Sequence, residues 1–239
     1  MSMMILPSEL SAKHWRSEPR WSRPSALLKR SLDVIFSITG MLLVLPIFVI
    51  AIVLIKLDSR GPIFYAQERI GLNRRRSRNG GPARGTERRH TDSFGQPFTI
   101  YKLRSMVVDA ERNTGPIWAA AKDARVTRLG RFLRNTRLDE TPQLWNVLRG
   151  VMSIVGPRPE RPVFVTTLAE SLPEYPIRCH ARPGITGLAQ VKSKYDSSIE
   201  TVHRKLQYDL YYVRYGRLLL DLKIMAATVK VVARGEGAH

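Results

Sequence analysis

At 239 residues the chain has room for one domain, or one domain with appendages. Its 39 Lys and Arg against 20 Asp and Glu leave a formal net charge of +19, which calls for an anionic partner: nucleic acid, an acidic membrane surface or phosphorylated substrates. The single Cys179 excludes an intrachain disulfide framework, is compatible with a reducing cytosol and reads as a small packed residue.

Residues 1–26 predict a mobile tail. The run from Val34 to Ile55 is uncharged over 22 residues, about 33 Å as a helix, against a hydrocarbon core of ~30 Å. It lies too far from the start for an ordinary signal peptide, and no small-residue cleavage site follows it. A buried helix of a soluble protein is the alternative. Both flanks are basic, with Lys29 and Arg30 before the run and Lys56, Arg60, Arg69 and Arg74 after it. The positive-inside bias therefore pulls both ends to the cytoplasmic face. Pro46, near the middle, removes a backbone hydrogen bond and kinks the helix. The prediction for residues 27–57 is a re-entrant helix–break–helix that enters and leaves by one leaflet, with a straight span as the other topology.

Residues 58–239 predict a small α+β domain of mixed α/β class, seated on the membrane surface. Pro62 to Tyr65 and Phe98 to Tyr101 are short β-like runs. Between them, 73–97 is rich in Arg, Gly and Ser and predicts a flexible basic loop. That loop is either a solvated linker or an anchor to anionic lipid, at ~1 kcal/mol per basic residue near the surface. Arg125, Arg128, Arg131, Arg134 and Arg137 then form a basic wall around one acidic pair, Asp139 and Glu140. Thr141 and Pro142 predict an N-cap and first helical position, Leu144, Trp145, Val147 and Leu148 an apolar face, and Gly150 a helix stop. A helix N-terminus attracts phosphate and keeps carboxylates ionised. A carboxylate beside a phosphate-binding surface can form an acyl phosphate; a capped surface helix with solvated charges is the plainer reading. Residues 199–215 and 218–233 predict helices, either interfacial and amphipathic or packed in the core. The five histidines are scattered, which argues against zinc, and no P-loop, GxSxG or GxGxxG occurs.

Seven ordered pieces of this chain carry a resemblance. They are Lys29-Arg-Ser-Leu-Asp33, Lys56-Leu-Asp-Ser-Arg-Gly-Pro62, Gln67-Glu-Arg-Ile-Gly71, Phe98-Thr-Ile-Tyr-Lys-Leu-Arg-Ser-Met106, the Asp139-Glu140 segment, Gly156-Pro-Arg-Pro159, and Arg182-Pro-Gly-Ile-Thr-Gly-Leu-Ala-Gln-Val191. Over about residues 27–233 the chain resembles the bacterial sugar transferases, small monotopic polyprenyl-phosphate phosphoglycosyl transferases. The resemblance implies a UDP-sugar and a polyprenyl phosphate as substrates, transfer of sugar-1-phosphate to the lipid, and release of UMP. It implies a bacterial inner-membrane location with the active site on the cytoplasmic face, in contact with anionic lipids.

By the same resemblance Asp139 is the nucleophile and a Mg²⁺ ligand, and Glu140 handles either the metal or a proton. Lys102, Arg134, Arg158, Arg182 and Lys194 are phosphate-binding positions. Arg104, two residues beyond Lys102, would share its face on a strand. Arginine's planar fork suits phosphate. Three positions depart from the family pattern: Leu45-Pro46 stands where Ser-Pro is common at the bend, Val151 where an acid is frequent, and Lys192-Ser-Lys194 where Asn-Gly-Arg is frequent. A noncatalytic scaffold of a polysaccharide assembly complex and a membrane-tethered nucleic-acid binder are the rival functions. The second lacks a recognised nucleic-acid motif, so no nucleic-acid partner is expected. The sugar is left open, as is a homodimer.

Overall fold

The computed structural model describes residues 23–73, 94–112, 115, 123–193 and 199–234. The first element, α1 (Arg23–Asp58), is a single 36-residue helix containing the whole apolar run, with Pro46 inside it. Two helices separated by a break were expected here. One proline costs one hydrogen bond, and the ladder continues on either side of it. Residues 23–26, expected in the tail, form the first turn; the tail's remainder lies outside the described residues.

One face of α1 is buried along most of its length. Asp33, Ser37, Gly40, Val44, Phe48, Ala51 and Ile55 recur at three- and four-residue spacing and are buried or half-buried. The opposite face is apolar and bare: Leu42, Leu43 and Ile50 are 67%, 73% and 59% exposed. An aqueous helix would carry polar residues there, so this face is built for a nonpolar solvent. Ala51 and Ile55 share a core with Leu103 and Leu133, and Phe48 packs against it.

Among the described residues, two sheets of two strands follow α1. β1 (Phe64–Ile70) and β2 (Pro97–Leu103) pair antiparallel, Phe64 opposite Leu103 and Ile70 opposite Pro97. Both are longer than the sequence runs suggested. Most of the basic loop between them lies outside the described residues. Its end does not behave as loop: Phe94 packs on a hydrophobic core, and Gln96 exchanges backbone bonds with Gly71 and Leu72. β3 (Ser153–Val155) and β4 (Gly184–Thr186) pair parallel. The helices are α2 (Arg128–Asn135), α3 (Gln143–Leu148), α4 (Pro162–Ser171), α5 (Leu188–Lys192), α6 (Ile199–Tyr215) and α7 (Leu218–Ala233).

The two C-terminal helices occur where the periodicity predicts them, and they differ in use. The apolar stripe of α6 is core: Val202, Leu206 and Leu210 pack with Ile70, Val165 and Tyr175, and Tyr212 joins Val155 and Ile224. An interfacial helix would leave that stripe open, so α6 is a packing helix. In contrast, α7 buries Leu220 and Ile224 and leaves Leu219, Leu222 and Val229 exposed.

The entry turn of α1 is clasped to the rest of the fold. Lys29 Nζ donates to Asp221 Oδ2 at 2.6 Å, and Tyr212 Oη donates to Asp221 Oδ1 at 2.8 Å. Arg30 donates to the carbonyls of Val147 and Leu148 at 2.6 and 2.7 Å, satisfying the open end of α3. Asp33 accepts from Ser153 Oγ and the Ile154 amide, both at 3.0 Å. The far end of α1 is capped too, by Arg104, which donates to Ile55 O and to both oxygens of Ser59.

Candidate active site

Lys102 enters the site from β2, held opposite Tyr65 by the strand register. The chain then turns at Ser105, whose carbonyl receives the Thr127 amide, and Met106 bridges to Val126. Thr127 caps α2, its hydroxyl accepting from the Gly130 amide at 2.9 Å. A side chain at Gly130 would run into the Ser105 backbone, so the close seating of α2 depends on that glycine. The seating brings Arg134, in the last turn of α2, against Ser105 Oγ at 3.0 Å. One terminal nitrogen of the Arg134 guanidinium is buried without a partner.

Arg137 follows in the left-handed region at φ 59°, ψ 13°, uncommon outside Gly, Asn and Asp. The reversal leads into a 3-10 turn, Leu138–Glu140, that carries both acids inward. The expected helix cap at Thr141 is therefore corrected. Thr141 closes the 3-10 turn by donating to Leu138 O at 2.8 Å, and α3 starts at Gln143 with Pro142 before it. Gly150, at φ 78°, follows the end of α3 as expected.

Asp139 and Glu140 are 5% and 7% exposed and have opposite surroundings. Glu140 Oε1 accepts from Lys102 Nζ at 2.7 Å and from Arg158 Nη2 at 2.6 Å, and Arg137 stands 3.9 Å from Oε2. Burial pushes the Glu140 carboxyl up; Arg158 and Lys102 overcome that and hold it well below the ordinary carboxylate range. Asp139 has no hydrogen-bond donor among the described residues. Burial raises its carboxyl, Lys102 opposes the rise, and the neighbouring Glu140 charge adds to it. Burial likewise lowers the Lys102 ammonium, against the pull of Glu140. The site is thus one pinned carboxylate, one desolvated carboxylate with its oxygens uncommitted, and a ring of cations exceeding the acids in charge.

Arg158 reaches this ring from the Gly156–Pro159 turn that follows β3. Pairing of β3 with β4 sets the Arg182-Pro183-Gly184 backbone beside that turn, with Gly184 N donating to Pro157 O at 2.9 Å. Of the sequence-predicted residues, Lys102, Arg134, Asp139, Glu140 and Arg158 therefore come together, and the Arg182 segment adjoins them. Arg104 does not join them: it lies beyond the end of β2, and its guanidinium caps α1. Lys194 lies outside the described residues. Arg137 also belongs to the cluster, where the sequence offers it only as part of the basic wall. No spacing rule marks it, because its place comes from a left-handed turn.

No group of three or more metal-ligating side chains occurs among the described residues. The donor set still fits a Mg²⁺ ion held by Asp139 with substrate phosphates and water, since this ion uses few protein carboxylates in phosphate chemistry.

The sequence model of the family described as "Bacterial sugar transferase" matches residues 24–235. The UDP-N-acetylgalactosamine-undecaprenyl-phosphate N-acetylgalactosaminephosphotransferase of Aeromonas hydrophila is 36% identical over 214 residues, 90% of this chain and 45% of the relative. Two relatives named UDP-glucose:undecaprenyl-phosphate glucose-1-phosphate transferase are similar as well. That of Klebsiella pneumoniae is 36% identical over 85% of this chain and 39% of its own length. That of Caulobacter vibrioides is 38% identical over 89% of this chain and 72% of its own. The chain thus spans less than half of the first and second of these and about seven-tenths of the third.

Proposed function

The chain belongs to the bacterial sugar transferase family, and from that membership we propose that it transfers a sugar-1-phosphate from a UDP-sugar to undecaprenyl phosphate, releasing UMP and initiating polysaccharide synthesis. The observation that carries this reading is the division of labour between the two adjacent acids. Glu140 is neutralised by Lys102 and Arg158 and has no oxygen to spare for attack at Oε1. Asp139 is desolvated and unbonded, the condition in which a carboxylate attacks without shedding hydrogen bonds. Its oxygen bonds to the β-phosphorus of the UDP-sugar as the bond from that phosphorus to the bridging oxygen breaks. UMP leaves with that oxygen, and the sugar phosphate stays on Asp139. The lipid phosphate oxygen then bonds to the same phosphorus, and Asp139 departs as a carboxylate.

Lys102, Arg134, Arg137 and Arg158 stabilise the negative charge of both steps. The unpartnered nitrogen of Arg134 is available to a phosphate oxygen. A bound Mg²⁺, with Asp139 as its protein ligand, would neutralise diphosphate charge. Arg182, whose segment adjoins the site, serves the same anionic substrate, and Lys194 is proposed as a further phosphate-binding position from the resemblance alone.

The topology supports the reading. Lys29, Arg30 and Asp33 at one end of α1, and Ala51 and Ile55 at the other, pack on the same charged domain. That domain cannot lie on both sides of a bilayer, which favours α1 being held at one face of the membrane over a straight span. The bare faces of α1 and α7 meet lipid, and the active site is held at the cytoplasmic surface of the inner membrane, where a polyprenyl phosphate presents its head. On this arrangement 58–239 is the catalytic domain and 27–57 its membrane anchor. The relatives' names differ in the sugar they cite, so the donor is tested as a panel.

The test is UMP release from UDP-sugars with added polyprenyl phosphate, coupled to mass spectrometry of protein mixed with donor alone. A phosphosugar adduct on Asp139 is expected. An adduct at another residue, or kinetics that require both substrates bound together, refutes the mechanism.

A further inference from the structure

The turn that presents Arg158 has few backbone donors of its own. Pro157 and Pro159 have no amide hydrogen, so beyond the Gly156 amide, which donates to Thr186 O at 2.9 Å, the turn is held mainly through its carbonyls. Four donors take four successive carbonyls. Gly184 N donates to Pro157 O at 2.9 Å, and Arg178 Nη2 to Arg158 O at 2.8 Å. Arg69 Nη1 donates to Pro159 O at 3.0 Å, and Ile70 N to Glu160 O at 2.9 Å. The bond from Arg178 meets the residue that matters, the peptide of Arg158 itself.

Arg178 is fixed on every side. Its Nε donates to Asp209 Oδ2 at 2.9 Å and its Nη1 to Tyr175 Oη at 2.7 Å, and its Nη2 stands 2.7 Å from Asp209 Oδ2. The side chains of Arg178 and Asp209 are 8% and 4% exposed, and all three guanidinium nitrogens of Arg178 are committed to Asp209, Tyr175 and the Arg158 carbonyl, which leaves none for a substrate. A buried ion pair is a poor source of stability compared with apolar residues of the same volume. What this one provides is a rigid planar fork with one tine on the backbone of Arg158.

We propose that Asp209 and Arg178 are positioning residues for phosphate transfer: the pair, seated between α6 and the 3-10 turn Tyr175–His180, locks the Arg158 carbonyl so that the Arg158 guanidinium meets Glu140 and the incoming phosphate in one geometry. Neither residue touches substrate; both act through Arg158. The inference rests on the transferase reading given above.

The experiment measures kcat and KM for UMP release, with thermal unfolding, for Arg178→Lys in the wild-type background and in an Arg158→Ala background. Lysine keeps the charge opposite Asp209 and loses the fork. In the wild-type background kcat/KM is expected to fall roughly 10- to 100-fold, the scale of a displaced catalytic group. In the Arg158→Ala background the same change is expected to cost less than about twofold, because the group being positioned is gone. Asp209→Asn is expected to follow the same pattern. Equal losses in both backgrounds, a loss that merely tracks the fraction of protein unfolded, or wild-type activity in Arg178→Lys each overturns the positioning role. If the wild-type protein itself releases no UMP from any donor, the transferase reading fails and this inference falls with it; an active wild type with any of the three outcomes above isolates the failure to Arg178 and Asp209.

Discussion

Replacing Glu140 by glutamine keeps the side chain's shape and removes the charge that two cations share. Lys102 and Arg158 both donate to Oε1, at 2.7 and 2.6 Å. Breaking a buried pair costs ~3–5 kcal/mol because the remaining charge is stranded. Arg158 keeps 36% of its side chain in water and recovers solvation, whereas Lys102 keeps 19%, so the cost falls mainly on Lys102. The amide oxygen still accepts one bond, which puts the expected loss at the low end, about 3 kcal/mol. For a chain of this length that is a fall in Tm of about 6–12 °C. Glu140 titrates in the folded protein well below its ordinary range. Its contribution is therefore complete above the unfolded pKa of about 4.3 and is lost as pH falls through the folded value. The Tm gap between wild type and Glu140→Gln should hold from about pH 8 to 5 and close at lower pH. Lys102, already lowered by burial, loses the opposing pull of Glu140, so the alkaline limb of UMP release moves to lower pH. Thermal unfolding in detergent and a pH–rate series read both effects. A Tm within 2 °C or so of wild type, on the scale above, with an unmoved alkaline limb, would show that Glu140 is not the shared counter-ion.

The neighbouring acid should behave in the opposite way. Burial raises the Asp139 carboxyl, so the folded protein loses stability as pH rises from the unfolded to the folded value. Asp139→Asn is therefore expected to hold or raise Tm at pH 7 while UMP release falls by roughly 10⁴-fold or more and the donor adduct vanishes; a lowered Tm would mark Asp139 as a structural charge instead. Ile55 is 2% exposed against Leu103 and Leu133, and Ile55→Ala should cost ~2–5 kcal/mol by thermal unfolding. A cost under about 1 kcal/mol would mean that α1 is not docked on the domain as described.

How far the sequence could be read depended on whether the signal was local. A 22-residue uncharged run is legible because desolvating even one charge in hydrocarbon is costly, so its absence over that length is a physical statement. The helical periodicity of 199–215 was legible for the same kind of reason, but its destination was not. Periodicity states that one face is apolar and leaves open whether protein or lipid covers it; Val202, Leu206 and Leu210 found protein. The acidic pair stood out by motif, and its conformation did not: a left-handed Arg137 turns it inward on a 3-10 turn, where a capped helix start was expected. Arg104 shows the limit most plainly. Two residues from Lys102, it was expected on the same face of one strand, yet β2 ends at Leu103 and the guanidinium goes to Ile55 O in α1 and to Ser59 just beyond it.

The sequence by itself settled composition, the apolar run, the first two strands, the two C-terminal helices and which residue types could do phosphate chemistry, since these follow from hydrophobicity and spacing along one chain. Only the tertiary structure decided that Lys102 and Arg158 pair with Glu140, that Arg137 joins them and that Arg104 does not, because the shared pairing rests on residues far apart in the chain meeting at one oxygen. Glu140 Oε1 draws Lys102 from 38 positions upstream and Arg158 from 18 downstream. Coulomb attraction at under 3 Å depends on such meetings, which no local pattern encodes.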